Sequence, residues 1–147
     1  MRLSAFLTLL FIASFGHPQD KDKDAVARDE MKKLAGTWEV VRAEKNGTPV
    51  PEDVRKSIRV EFEGDVMRIR DTRGTDKSRY TIDPSAKPHS IEFLLGVNRE
   101  TFALGIYELN EGKLTLCWSK QGGVRPAKFA SDDKEMTTVF VLEPAKK

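Results

Sequence analysis

Sulfur and imidazole are scarce in this chain, with one cysteine and two histidines among 147 residues. A single cysteine excludes an intramolecular disulfide. So few soft donors argue against a His/Cys metal site. Charge of one sign is lacking too: 25 Lys+Arg against 23 Asp+Glu leave a formal net charge of +2. That balance gives no basis for the concentrated positive stripe that nucleic acid requires. The phosphate-cradling loop, the dinucleotide fingerprint, the G-x-S-x-G elbow and the D-x-D-x-D-G calcium loop are all missing. No cofactor is implied. The longest apolar run, Leu3 to Phe15, is interrupted by Ser4, Thr8 and Ser14. As a helix it reaches only ~20 Å, short of a ~30 Å hydrocarbon core. It predicts no transmembrane segment in a mature chain.

What that run does fit is export. Met1-Arg2 is a short basic start, and Ser14-Phe15-Gly16 places small residues at the −3 and −1 positions of a cleavage site after Gly16. Residues 1–16 therefore read as a signal peptide, and the product as periplasmic or secreted. The alternative is an uncleaved anchor. No cysteine near the site offers a lipid attachment point. Residues 17–24, HPQDKDKD, are polar and charged and read as a disordered lead-in. The folded domain is expected over 25–147, a length suited to one hydrophobic core.

Two periodicities divide that domain. Asp24 to Ala35 places Ala27, Met31 and Leu34 on one helical stripe, with Asp24 as a cap and Gly36 as a stop. Beyond Gly36 the period is two. Ile58, Val60 and Phe62 alternate with Arg59, Glu61 and Glu63; Leu114, Leu116 and Trp118 alternate with Thr115, Cys117 and Ser119. Turn signals such as Asn46-Gly47, Gly64-Asp65 and Asn110-Glu111-Gly112 separate such runs. The pattern predicts strands near 37–45, 57–63, 66–71, 77–82, 89–95, 102–109, 113–118 and 135–143, with a helical turn over 51–56. The fold class is all-β. Eight up-and-down antiparallel strands close into a barrel wide enough to fill with side chains or to hold one small ligand.

Leu34-Ala35-Gly36-Thr37-Trp38 runs a helix end into Gly-x-Trp at the first strand. The start resembles that of lipocalins and other calycin-like barrels. Leu34 to Trp38, the G-I-Y-E-L strand at Gly105 to Leu109, the L-x-L-C strand at Leu114 to Cys117 and the R-P-x-x-F segment at Arg125 to Phe129 occur in that order. Together they resemble a lipocalin-like domain family of planctomycete bacteria. That family carries no assigned activity, so the resemblance implies fold and compartment rather than chemistry. It also implies an arginine packed across the tryptophan, and Arg125 is the candidate. On that expectation Gly36, Trp38 and Arg125 form the structural signature, with Trp38 plugging the closed end. The functional alternatives are Trp38 lining a cavity and Arg125 clamping a ligand carboxylate.

Few other residues invite chemistry. Tyr107 and Glu108 are adjacent in a strand and face opposite sides, so they cannot serve one substrate atom together. Cys117 alternates away from Leu116 and Trp118 and reads as a structural thiol; exposed, it would be open to an intermolecular disulfide. His89 follows Pro88 at a strand start and reads as a surface residue.

Three functions fit. The first is non-enzymatic binding of a small apolar or amphipathic ligand at the barrel's open end. Its lining candidates are Phe62, Ile69, Tyr80, Phe93, Tyr107 and Phe140. The second is a protein-interaction or envelope-structural module with a filled interior, its partner unspecified. The third is a calycin-type enzyme with its site in the cavity. An open cavity above ~300 Å³ favours the first. A filled interior with a broad apolar patch favours the second. A perturbed acid, base or nucleophile inside the cavity favours the third.

Overall fold

The computed structural model describes residues 18–95 and 100–147. The expected signal peptide, its expected cleavage site after Gly16 and His17 lie outside the described residues. The chain order is helix α1 (Pro18–Leu34), β1 (Gly36–Lys45), β2 (Thr48–Pro49), α2 (Glu52–Ser57), β3 (Arg59–Glu63), β4 (Val66–Asp71), β5 (Gly74–Asp83), β6 (His89–Leu95), β7 (Glu100–Asn110), β8 (Lys113–Trp118) and β9 (Thr138–Pro144). Each long strand pairs antiparallel with the next, and β1 closes the sheet on β9 from Trp38↔Pro144 to Lys45↔Thr138. The result is a closed eight-stranded antiparallel barrel, β1 and β3 to β9, with β2 forming a two-residue hairpin on β1.

Alternation decides the faces. Val60 and Phe62 on β3, Tyr80 on β5, Ile91 and Phe93 on β6, Tyr107 on β7, Leu114 and Leu116 on β8 and Leu142 on β9 enter one buried cluster. Gly105 shows why no larger residue fits its place on β7. A methyl there would lie 2.7 Å from the Cys117 carbonyl oxygen and 3.0 Å from both Ile91 and Trp118.

One barrel end is plugged by α1. Leu34 is fully buried and Met31 packs on the same cluster. The Trp38 indole N–H donates to the Leu34 carbonyl at 2.8 Å. It thereby satisfies one of the carbonyls that a helix C-terminus leaves unpaired. Gly36, at φ +121, makes the turn from helix to strand. At the other end a bulge in β1 shifts register between Val40 and Arg42. Arg55 of α2 donates to the Val40 carbonyl there at 2.7 Å, which fixes α2 beside the mouth.

The helix differs from expectation at its start. It begins at Pro18, so most of the stretch read as a disordered lead-in is helical. Proline suits the first helical turn, and early aspartates with Lys32 and Lys33 in the last turn suit the helix dipole. The last strand starts at Thr138, three residues later than its periodicity implied. Met136 has φ +52, and Thr137 donates from both its N–H and its hydroxyl, to the Asp132 and Ala130 carbonyls. Those bonds hold the chain in a turn until Thr138.

Trp38→Ala is expected to cost about 3–5 kcal/mol, the usual range for a buried large aromatic. Urea unfolding followed by circular dichroism measures it. A loss below ~1 kcal/mol would mean that the indole does not plug the barrel.

Candidate functional site

The six expected lining residues all belong to, or pack against, the inward-facing cluster, but they divide by depth. Phe62, Tyr80 and Tyr107 fill the half nearer α1. Phe62 and Tyr80 meet edge to face at 5.3 Å. The Tyr80 hydroxyl donates to the Gly64 carbonyl at 2.9 Å, at the β3–β4 turn. Ile69, Phe93 and Phe140 face the other half, which is open.

Two adjoining cavities occupy that open half. The larger, about 530 Å³, is lined by Ile58, Ile69, Phe102, Trp118, Phe140 and Met136 among others. The smaller, about 380 Å³, is lined by Met67, Ile69, Asp76, Phe93, Phe102 and Trp118. Trp118 is the hinge between them. Its ring meets Phe93 edge to face at 6.0 Å and Phe140 at 5.0 Å. Apolar side chains also reach solvent at this rim: Val54 on α2 and Met136 are both exposed. Met136 holds a left-handed backbone that a non-glycine residue adopts only at a cost. Charged residues complete the rim, with Lys45, Arg73, Lys120, Asp71 and Asp76. Phe102, Trp118 and the charged set were missed as site residues. Trp118 shares its inward face with Leu114 and Leu116, but alternation alone does not reveal depth along the barrel.

Arg125 does not meet Trp38 as expected. Its Nη1 donates to the Gly105 carbonyl at 2.6 Å and to the Ile91 carbonyl at 3.1 Å, while Nη2 pairs with Glu92 at 2.8 Å. These partners sit on β6 and β7, whereas Trp38 lies on β1 beside Val60 and Pro144. The reason is the route of the chain. Residues 119–137 do not close the barrel end but cross its outer face as a strap. Phe129 packs there on Ile106, Cys117 and Val139, which form a second small buried cluster outside the barrel. Pro126 is buried as well. The R-P-x-x-F segment is thus a fastening, with Arg125 tying the strap to two strands.

Cys117 faces outward, as its alternation required, and is fully buried beneath the strap. Burial pushes its thiol up to about 11. Its sulfur sits 3.6 Å from the Lys128 carbonyl and 3.7 Å from that of Ala130. Such a thiol is a poor nucleophile. His89 departs from its reading as a surface residue. It is half-buried against Tyr107, with ring centroids 5.2 Å apart. His89 Nδ1 and the Tyr107 hydroxyl are both buried without a hydrogen-bond partner among the described residues. Burial, then the charge of Glu30, raises the Tyr107 phenol well above its ordinary value. Burial, then Asp65, pushes Tyr80 up to about 12. None of these three raised groups lines either cavity of the open half.

Both phenols keep their protons in the folded chain at a pH where the unfolded chain loses them. Their contribution is whole below about pH 10 and is lost as pH rises toward 12. Unfolding free energy should therefore be flat up to about pH 9 and fall steeply above 10. A urea series across that range checks the slope, and unchanged stability at pH 11 would contradict it. Arg125→Ala should cost about 1–3 kcal/mol, from the lost hydrogen bonds to the Ile91 and Gly105 carbonyls, the lost pair with Glu92 and a loosened strap. Cys117 of the folded Arg125→Ala variant should then react faster with a thiol reagent than that of the native chain, and equal rates in both proteins would remove the fastening role.

Among the described residues, no helix is long and apolar enough to cross a membrane, and no group of three or more His, Cys, Asp or Glu side chains is placed to hold a metal ion. No protein-family model, curated protein or solved structure matches this chain.

Proposed function

We propose that this chain is an exported, non-enzymatic barrel that binds a small apolar or amphipathic ligand in its open half. The observation that carries the reading is the asymmetry of the interior. One half is filled by Phe62, Tyr80, Tyr107, Leu114 and Leu116, and the hollows at that end, about 400 Å³ beside α1 and Tyr80 and about 730 Å³ beside Trp38, are bordered by charged surface residues. The other leaves a cavity of about 530 Å³ walled by Ile69, Phe102, Trp118 and Phe140. That volume falls within the usual ~300–1,000 Å³ of small-molecule sites. The three groups raised by burial sit elsewhere: Tyr80 beside the hollow at α1, Tyr107 in the packed half and Cys117 under the strap. Export rests on the Leu3 to Phe15 run and the small residues before His17. The Gly36-Thr37-Trp38 start and the closed barrel agree with a lipocalin-like relationship.

Ile69→Trp tests it, because Ile69 lines both cavities and is only partly buried. The wild-type chain should bind one equivalent of an uncharged amphiphile such as dodecyl maltoside, read by tryptophan fluorescence below the micelle concentration. Ile69→Trp should weaken that binding at least ~10-fold. Binding that is absent, or indifferent to the substitution, would overturn the reading.

A further inference from the structure

The mouth carries Asp71, Arg73 and Asp76 on the β4–β5 side, and Lys45 and Lys120 from the end of β1 and the chain beyond β8. Asp71 on β4 and Asp76 on β5 continue the inward-facing sets of Met67 and Ile69 and of Ser78 and Tyr80. Lys45 ends β1, and Lys120 follows Trp118 and Ser119. Asp71 is already engaged, accepting from Arg73 Nη2 at 2.7 Å, from Nε at 3.1 Å and from the Arg73 backbone N–H at 2.8 Å. Asp76, Lys45 and Lys120 make no ion pair among the described residues. Among the described residues Asp76 therefore stands unpaired on the β4–β5 wall, within the field of the Asp71-bound Arg73, and two unpaired ammonium groups come from β1 and the chain beyond β8.

The surroundings of Asp76 narrow the chemistry further. It shares the smaller cavity with Phe93, Phe102 and Trp118. Lys77, which also borders that cavity, belongs to the outward-facing set of β5. A carboxylate among aromatic rings suits a cation whose own surface is apolar. Ring faces attract positive charge, and alkyl groups on nitrogen bury against them at low desolvation cost. Lys45 and Lys120, as flexible point charges, suit a phosphate or carboxylate.

We infer that the open half takes a zwitterion, with an alkylated ammonium against Asp76 and the Phe93–Trp118 rings and an anionic group at Lys45 and Lys120. The inference rests on the ligand-binding reading above and names the headgroup that this site recognises. Phosphocholine carries this chemistry, either as a free solute or at the head of a lipid.

The test is isothermal titration of the full chain with dodecylphosphocholine below its micelle concentration, alongside dodecyl maltoside, dodecyl phosphate and free phosphocholine. The zwitterionic amphiphile should bind at least ~10-fold tighter than either dodecyl maltoside or dodecyl phosphate. Asp76→Asn should abolish the advantage over dodecyl phosphate, and Lys45→Gln with Lys120→Gln the advantage over dodecyl maltoside. All three positions are exposed, so the folded barrel should persist. Free phosphocholine binding as tightly as the tailed probe assigns the site to a solute; binding that needs the tail assigns it to a lipid. If dodecyl maltoside or dodecyl phosphate matches dodecylphosphocholine, or if Asp76→Asn changes nothing, the zwitterion is wrong while the cavity remains a binding site. If no probe binds, both readings fall.

Discussion

Closure of β1 on β9 is the constraint on which the rest depends. It gives the first and last strands a partner each and leaves the eight-stranded sheet without an open edge. It also brings the helix that precedes β1 to one end of the interior. The same pairing delivers Lys45 to the mouth and Trp38 to the plug, seven residues and about 23 Å of strand apart at a rise of ~3.3 Å per residue. An interior covered by α1 at one end and a cavity at the other follow from one set of ladder bonds.

The two ends differ because they are covered by different chemistry. The α1 end has a helix C-terminus with an indole on its carbonyl, and tyrosine, phenylalanine and leucine side chains beneath it. The mouth has α2, held by Arg55 on the β1 bulge, and the first residues of the strap. Arg55 and Arg125 act alike here. Each uses a guanidinium to satisfy strand carbonyls and so fixes an irregular segment to a regular one. The strap then covers Ile106, Cys117 and Val139, three apolar residues on an outer face that would otherwise meet water.

Strand number and most boundaries were legible because the period of two is uninterrupted within each run. The segments at 66–71, 89–95 and 113–118 coincide with β4, β6 and β8. Three things were hidden. The β2 hairpin is two residues long, too short for any periodic signal. The strap has no period, so its route, and with it the misplacement of Arg125 against Trp38, could not be read from residue spacing. Depth was the third. Alternation assigned Phe62, Ile69, Tyr80, Phe93, Tyr107 and Phe140 to the interior, but which of them border a cavity depends on strand stagger and on which end the helix blocks. For the same reason Asp76 and Lys120, plain surface charges in the sequence, emerge as residues of the cavity mouth only in three dimensions.

The central claim is that the interior is packed near α1 and open at the other end. The two tryptophans report on these ends separately: the Trp38 indole N–H is bound to Leu34 in the plug, and Trp118 lies between the two cavities. The most direct measurement is a nitrogen-proton correlation spectrum of the two indole N–H groups during titration with dodecyl maltoside below its micelle concentration. The Trp118 signal should move and saturate while the Trp38 signal stays in place. Movement of Trp38, or a Trp118 signal that does not respond, would contradict it.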